Sequence, residues 1–231
     1  MQKNIPKHVA IIMDGNRRWA KKENLLGFEG HRKGAKRAEE MAKAAYASRI
    51  PYITVWAASV DNLLKRKKTE VRFLAKLMEE KLLGIAERNK KENIRIRVIG
   101  ESFEILKNKS LQSAIEKAEN DTKKNCGTQF TILFGYDGKE EMIRAIKEIA
   151  ENGESRISYE SVKKNLRTAE LPPVDLVIRT GGEPHWSSGF MMWHTADSEF
   201  YFTEILWPDF TEKEFKKALD EFSRRRRKRG K

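Results

Sequence analysis

The stretch Val9-Ala10-Ile11-Ile12-Met13-Asp14-Gly15-Asn16-Arg17-Arg18-Trp19 decides how the rest of the chain is read. Its first five residues are apolar without a break, the pattern of a short strand buried on both faces. Asp14-Gly15-Asn16 then supplies residues that leave a strand and can start a helix. Arg17, Arg18 and Trp19 follow at once. A carboxylate, an amide and two guanidiniums therefore gather at the end of a core strand, where open α/β sheets bind ligands. An Asp beside an Arg-Arg pair suits an anionic substrate bridged by a metal ion, the carboxylate holding the cation and the arginines taking phosphate oxygens. An ordinary turn with solvated charges fits this stretch alone equally well.

Outward from this point, strand and helix patterns alternate. Strands are expected at 51–57, 94–100, 128–134, 174–178 and 199–202, each a run of apolar or alternating residues. Helices are expected at about 34–48, 69–89, 111–124, 139–152, 158–166 and 211–223. The first is entered through Gly30-His31-Arg32-Lys33-Gly34. The second turns Val71, Leu74, Leu77, Met78 and Leu82 to one face. In the helix from Lys139, residues Met142, Ile143, Ile146 and Ile149 are expected to point inward, and Thr211 with Glu214 forms a capping box. Such alternation predicts a single α/β domain with a mostly parallel sheet of about six strands flanked by helices.

The chain has 231 residues, enough for a sizeable core, and no apolar run long enough to span a membrane. Residues 1–8 lack the apolar centre of a signal peptide, and Cys126 is the single cysteine, so a cytoplasmic location is expected. Net charge is +13, but residues 224–231 carry seven basic side chains, leaving about +6 for the rest. A single folded domain is accordingly placed at 1–223 and a basic tail at 224–231. The tail reads first as a solvated end, then as a contact for an anionic membrane surface. No nucleic-acid partner is expected.

In a parallel sheet the carboxyl ends of all strands share one edge. Asp14 to Arg18, Ser59-Val60-Asp61-Asn62 and Arg179-Thr180-Gly181-Gly182-Glu183 should therefore face one crevice, with the paired glycines free to approach an anion. Nucleotide-binding loops of the Gly-x-x-x-x-Gly-Lys and Gly-x-Gly-x-x-Gly kinds are absent, as are a zinc-type His-Glu-x-x-His and a Gly-x-Ser-x-Gly elbow. What remains is a site for a phosphate-bearing substrate with a hard cation and few strong nucleophiles. Departure of a diphosphate fits that set.

With these residues in view, the chain resembles the cis-prenyltransferases, the undecaprenyl diphosphate synthase family, over nearly its whole length. The resemblance rests on three ordered motifs: His8 to Ala20 extended by Gly30 to Gly34, Asp175 to Glu183, and Ser198 to Phe202 with Leu206 to Phe210. It implies a hydrophobic tunnel beside the sheet, a homodimer, and a magnesium-dependent condensation of an allylic prenyl diphosphate with isopentenyl diphosphate. By that resemblance Asp14 holds Mg2+, with Glu199 completing the metal shell and His185 a second metal position. Gly15, Asn16, Arg17 and Arg18 cradle the allylic diphosphate, with Trp19 and His31 close by. Asn62, beside Ser59, assists proton removal, Arg179 binds the homoallylic diphosphate, and Arg66 and Ser188 match further substrate-binding positions. The tunnel floor, drawn from the helix at 69–89, sets product length.

The chain departs from the family pattern at several points. Gly27 stands where an arginine usually grips the allylic diphosphate, and Trp186 where another is expected. Leu63-Leu64-Lys65-Arg66 and Gly135-Tyr136-Asp137-Gly138-Lys139 replace commoner motifs, and Lys228-Arg229-Gly230 stands at an Arg-x-Gly position. A tryptophan replaces neither the charge nor the fork geometry of an arginine. Standard chain elongation is the first expectation, with Arg17, Lys65 or Lys228 supplying the missing charge. The alternative keeps the scaffold but takes a different acceptor, a phosphorylated isoprenoid alcohol or a second allylic diphosphate. A non-catalytic partner subunit is the third reading, opposed by the presence of Asp14 and the Arg-Arg pair.

Overall fold

β1 (His8–Ile12) is the strand that the apolar run predicts, and all five residues are buried. A computed structural model describes residues 4–88, 92–153 and 157–225. After β1 the chain forms α1 (Asn16–Lys22), α2 (Gly27–Ala47), β2 (Tyr52–Ala58), α3 (Val60–Lys65) and α4 (Lys68–Arg88). It continues through β3 (Ile94–Ile99), α5 (Ser102–Leu106), α6 (Lys109–Thr122), β4 (Thr128–Phe134), α7 (Gly138–Glu151) and α8 (Tyr159–Lys164). β5 (Leu176–Arg179), β6 (Glu199–Phe202), a 3-10 turn at Trp207–Asp209 and α9 (Glu212–Arg224) complete it.

The six strands form one sheet in the order β3-β4-β2-β1-β5-β6. Every pairing is parallel. Helices therefore cover both faces, and the central strands are apolar on both sides. One core layer packs Val9, Ile11, Ile53, Val55 and Phe130 against α2, α4, α6 and α9. The other joins Ala10, Ile12, Leu133, Val177 and Phe190. Burying one such side chain is worth about 1.5–3 kcal/mol. Among the described residues no helix is long and apolar enough to cross a membrane.

Some boundaries differ from expectation for physical reasons. α2 begins seven residues earlier than the sequence suggests, so Gly30 to Gly34 lies inside the helix. The two glycines are contact points rather than breakers: a Cβ on Gly30 would sit 2.1 Å from the Asn16 carbonyl oxygen, and one on Gly34 2.1 Å from Asn16 Oδ1. The short helices α1, α3 and α5 carry too little periodicity to register. α7 turns Glu141, Ala145 and Ile149 inward and leaves Ile143 and Ile146 50% and 47% exposed. Glu141 displaces them because its carboxylate is held by the Tyr136 hydroxyl at 2.7 Å and by the Thr168 N–H and hydroxyl at 2.9 and 3.0 Å. Thr211 caps α9 by position, without a side-chain bond. Asn89 and residues 226–231 of the basic tail lie outside the described residues.

Two histidines are built into the interior. His8 Nδ1–H donates to the Pro172 carbonyl at 2.9 Å, leaving Nε2 to accept from the Thr54 hydroxyl at 2.8 Å. His194 Nε2–H donates to Thr168 Oγ1 at 2.9 Å. Burial pushes His8 down to about 4, opposed by the Pro172 carbonyl and Asp175. It does the same to His194, with the charges of His8 and Lys163 adding to the effect. Both are neutral in the fold, whereas the unfolded chain takes up their protons near the ordinary value of about 6.5. Their contribution to stability is therefore intact above that value and is lost as pH falls toward 4. Thermal or urea unfolding should lose about 1–2 kcal/mol per histidine between pH 7 and pH 5; His8→Gln should flatten that slope.

Candidate active site

β1 and β5 are neighbours whose chain connections leave in opposite directions, which places a crevice at their carboxyl ends. Asp14 follows β1, and Arg179 is the last residue of β5. Arg179 is only 5% exposed. Its Nη2 lies 3.4 Å from Asp14 Oδ2 and 3.3 Å from Glu183 Oε2, and its Nη1 donates to the His185 carbonyl at 2.7 Å. Arg18 Nη2 reaches the other Asp14 oxygen at 3.2 Å and Glu183 at 3.8 Å, while its Nη1 donates to the Gly181 carbonyl at 2.6 Å. The Asp14 carbonyl accepts from the Thr180 hydroxyl at 2.8 Å and the Trp207 N–H at 3.0 Å. Head and backbone of Asp14 are thus both fixed.

The second strand end supplies the opposite wall. Ser59 caps α3 through a reciprocal pair with Asn62: its hydroxyl accepts from the Asn62 N–H at 3.0 Å, and its own N–H faces Asn62 Oδ1 at 3.4 Å. Arg66 donates to Asn62 Oδ1 at 3.1 Å and to Glu70 Oε1 at 2.9 Å. The same Glu70 oxygen lies 3.3 Å from His31 Nε2. Burial lowers the pKa of His31, and Arg66 pushes the same way while Glu70 opposes. Arg66 is itself lowered, chiefly by burial. A cleft of about 300 Å3 is lined by Asp14, Asn16, His31, Ser59, Asn62, Arg66, Arg179 and Ser188, among others. It abuts an apolar cavity of about 90 Å3 between α2, α4 and the sheet, and Met13, Asn16, His31 and Ala57 line both.

Most sequence-predicted site residues converge, and several do not. Arg17 is exposed and lines a smaller cleft of about 200 Å3 with Gly27, Phe28 and Lys67, close to where the family arginine is missing. Gly15 starts α1 at a φ of 114°, backed by Leu206. Trp19 is buried at 6% exposure, its indole N–H donating to Asp209 at 2.9 Å and Lys33 Nζ 4.0 Å over its ring, so it packs the scaffold instead of lining the cleft. Gly181 and Gly182 direct their N–H groups to the Ile205 and Thr203 carbonyls, not to an anion. Lys65 pairs with Asp61 on the surface. Trp186 is 42% exposed, is not among the cleft-lining residues, and donates its indole N–H to the Phe190 carbonyl at 2.9 Å.

Glu199 stands apart. It opens β6 opposite Leu176, three positions and roughly 10 Å behind the Arg179–Phe202 pair. There it meets Arg225 at 3.5 Å. Within one chain it is at the amino edge of the sheet, away from Asp14. His185 contributes its carbonyl to Arg179, and its exposed ring lies 3.9 Å from Glu183. Glu70 is an organising residue that the sequence reading missed, and Thr180, Glu183 and Trp207, placed in motifs by sequence, gain their structural roles only here. The four-residue spacing of Arg66 and Glu70 was an available signal for one of them.

Mg2+ fits this donor set. The Asp14 carboxylate is 34% exposed, and among the described residues no group of three or more metal-ligating side chains gathers. Magnesium commonly binds through one carboxylate together with substrate phosphates.

A carboxylate flanked by guanidiniums beside an apolar pocket suits a ligand that joins an anionic head to a hydrocarbon. The family described as "Putative undecaprenyl diphosphate synthase" matches residues 12–230. An isoprenyl transferase of Fusobacterium nucleatum is 40% identical over 230 residues, covering 100% of this chain and 98% of its own. That of Bacillus subtilis is 41% identical over 232 residues, covering 98% and 88%. A solved structure of lavandulyl diphosphate synthase from Lavandula x intermedia with dimethylallyl diphosphate aligns with a TM-score of 0.92 at 34% identity, over 98% of this chain and 99% of that one. A probable undecaprenyl diphosphate synthase from Campylobacter jejuni aligns at 0.80 and 29% identity, over 99% and 100%. The chain belongs to the undecaprenyl diphosphate synthase family and is a prenyltransferase.

Removing the central carboxylate should stop catalysis without unfolding the chain. Asp14→Ala is expected to lower kcat by at least about 100-fold, with a change of only a few degrees in Tm because Glu183 still faces Arg179. Near-normal turnover would remove Asp14 from the site.

Proposed function

We propose that this prenyltransferase condenses an allylic prenyl diphosphate with isopentenyl diphosphate in a magnesium-dependent reaction, releasing pyrophosphate. The observation that carries this reading is the junction of a polar cleft, lined by Asp14, Asn62, Arg66 and Arg179, with an apolar cavity through shared residues, a layout suited to a polar head and a hydrocarbon tail. Arg18 and Arg17 take the allylic head, and Asp14 holds the metal. Magnesium, when bound, offsets charge on the leaving pyrophosphate. The allylic C–O bond breaks, the isopentenyl double bond attacks the allylic carbon, and a proton leaves to form the new cis double bond. Asn62, held by Ser59 and Arg66, positions the acceptor so that this proton passes to pyrophosphate oxygen. Arg66, Arg179 and Ser188 bind the acceptor's diphosphate.

A second reading takes another acceptor, such as a second allylic diphosphate. It is favoured by Trp186, which brings no charge to the cleft where a guanidinium would be expected. A charge-assisted bond is worth about 1.5–3 kcal/mol, so acceptor affinity is at stake by an order of magnitude or more.

A homodimer is part of the proposal, supported by the exposed Ile143 and Ile146 on one face of α7. The basic tail at 224–231 is assigned to an anionic membrane surface. Glu199 enters a metal shell only if a second copy brings it to a cleft.

Labelled isopentenyl diphosphate, incubated with magnesium and a panel of allylic donors, should enter a longer cis product. No incorporation from any donor, with products formed from allylic diphosphates alone, would select the second reading. Trp186→Arg should lower KM for isopentenyl diphosphate about tenfold. Ile143→Glu with Ile146→Glu should convert a dimer to a monomer in light scattering; an unchanged mass places the interface elsewhere.

A further inference from the structure

One corner of the molecule carries exposed apolar side chains that the site does not use. α1 ends at Lys22 and α2 begins at Gly27, and the turn between them presents Leu25 and Leu26 at 47% and 73% exposure. This turn stands beyond the carboxyl edge of the sheet. Gly30 packs on Asn16 just after β1, and Gly27 is about 4.5 Å of helix further out. Phe28 braces the corner, its ring 4.6 Å from that of Phe73 on α4. Lys21 and Lys22 close α1 beside the turn, and Lys67 and Lys68 lead into α4. All four lysines are exposed, and none ion-pairs with another described residue. Of the acids nearby, Glu29 faces Arg32 at 3.7 Å, and Glu23 is outnumbered by the lysines. Leu26, Phe28 and Lys67 line the cleft of about 200 Å3 that reaches His31, and His31 also borders the catalytic cleft and the apolar cavity. The apolar interior thus opens toward this corner.

We propose that the α1–α2 corner is a docking surface for an anionic lipid bilayer, with Leu25 and Leu26 entering the interface and Lys21, Lys22, Lys67 and Lys68 resting on lipid phosphates. Shape and charge complementarity select this occupant. An apolar tip ringed by unpaired cations matches the two layers of a bilayer surface, acyl chains beneath phosphates. Lysine, a point charge on a flexible stem, suits phosphates that hold no fixed positions. Each such cation close to an anionic surface strengthens binding about fivefold. The basic tail is a separate contact. Arg225, from which it continues, bonds the Phe200 carbonyl and faces Glu199 at the amino edge of the sheet, on the far side from this corner. A bilayer held at the corner faces the opening that leads to His31, so a hydrocarbon chain passes between lipid and pocket with little exposure to water. That use of the surface rests on the proposed prenyl substrates; the docking itself does not.

The test uses the full-length protein without substrate, sedimented with vesicles of phosphatidylcholine alone or of phosphatidylcholine with phosphatidylglycerol. Wild-type binding should require phosphatidylglycerol and weaken as salt is raised. Leu25→Ser/Leu26→Ser should weaken it about tenfold or more through lost apolar burial. Lys21→Gln/Lys22→Gln should cost about as much through lost charge. Leu25→Met/Leu26→Met keeps an apolar tip and should bind within about twofold of wild type. A chain ending at Arg225 should keep the response to both pairs of substitutions. Undiminished binding by the serine variant, or binding that is lost only with the tail, overturns the corner as the docking surface. Absence of wild-type binding to both vesicles overturns the bilayer as its occupant and leaves this face to a protein partner. With no substrate present, each of these results is separate from success or failure of the condensation reaction.

Discussion

The buried guanidinium of Arg179 is the constraint on which the site depends. A charge this far from water persists only with counter-charges in contact, and leaving it with none costs more than never having buried it. Asp14 and Glu183 supply those charges from two adjacent strand ends. Their demand for Arg179 draws the β1 and β5 loops together, and Arg18 reinforces the link by bonding both carboxylates and the Gly181 carbonyl. The carboxylate best suited to a metal is thereby held in place before any substrate arrives. An arriving diphosphate competes for guanidiniums already oriented, so little side-chain ordering remains to be done.

The parallel sheet also determines how head and tail are separated. Each crossover helix starts near the carboxyl edge and runs back, so one polar edge faces one apolar interior. His31 stands on that boundary. Burial and the Arg66 charge both lower its pKa, leaving an uncharged ring where the cleft gives way to hydrocarbon surroundings. Glu70 accepts from Arg66 and meets His31 with the same oxygen, coupling the mouth of the pocket to Asn62 through Arg66. Arg66 is thus two contacts from the histidine at the pocket entrance.

The strand skeleton was legible because buried parallel strands leave short apolar runs, as in Val9 to Met13 and Thr128 to Phe134. The carboxyl-edge residues followed from parallel order. Helix starts were harder. Gly30 and Gly34 looked like interruptions, since a sequence does not say whether a glycine bends a chain or lets another chain approach. Ile143 and Ile146 looked buried because amphipathic spacing identifies an apolar stripe without saying what covers it. Trp19, which a motif position and a core aromatic explain equally well by sequence, packs against Lys33 and Asp209. Glu199 carries the sharpest lesson. Its position at the start of a parallel strand already put it at the amino edge, and only motif resemblance carried it toward the metal.

Asn16 touches α2 where no side chain intervenes, at Gly30 and Gly34. α2 also walls the apolar pocket from His31 to Glu39. Backbone in direct contact with backbone cannot slide without collision, so the loop that grips a head group and the wall that receives its tail form one rigid piece. The spacing between the cleft and the apolar cavity is therefore set by the packing of one loop on one helix, and a displacement of either carries the other with it.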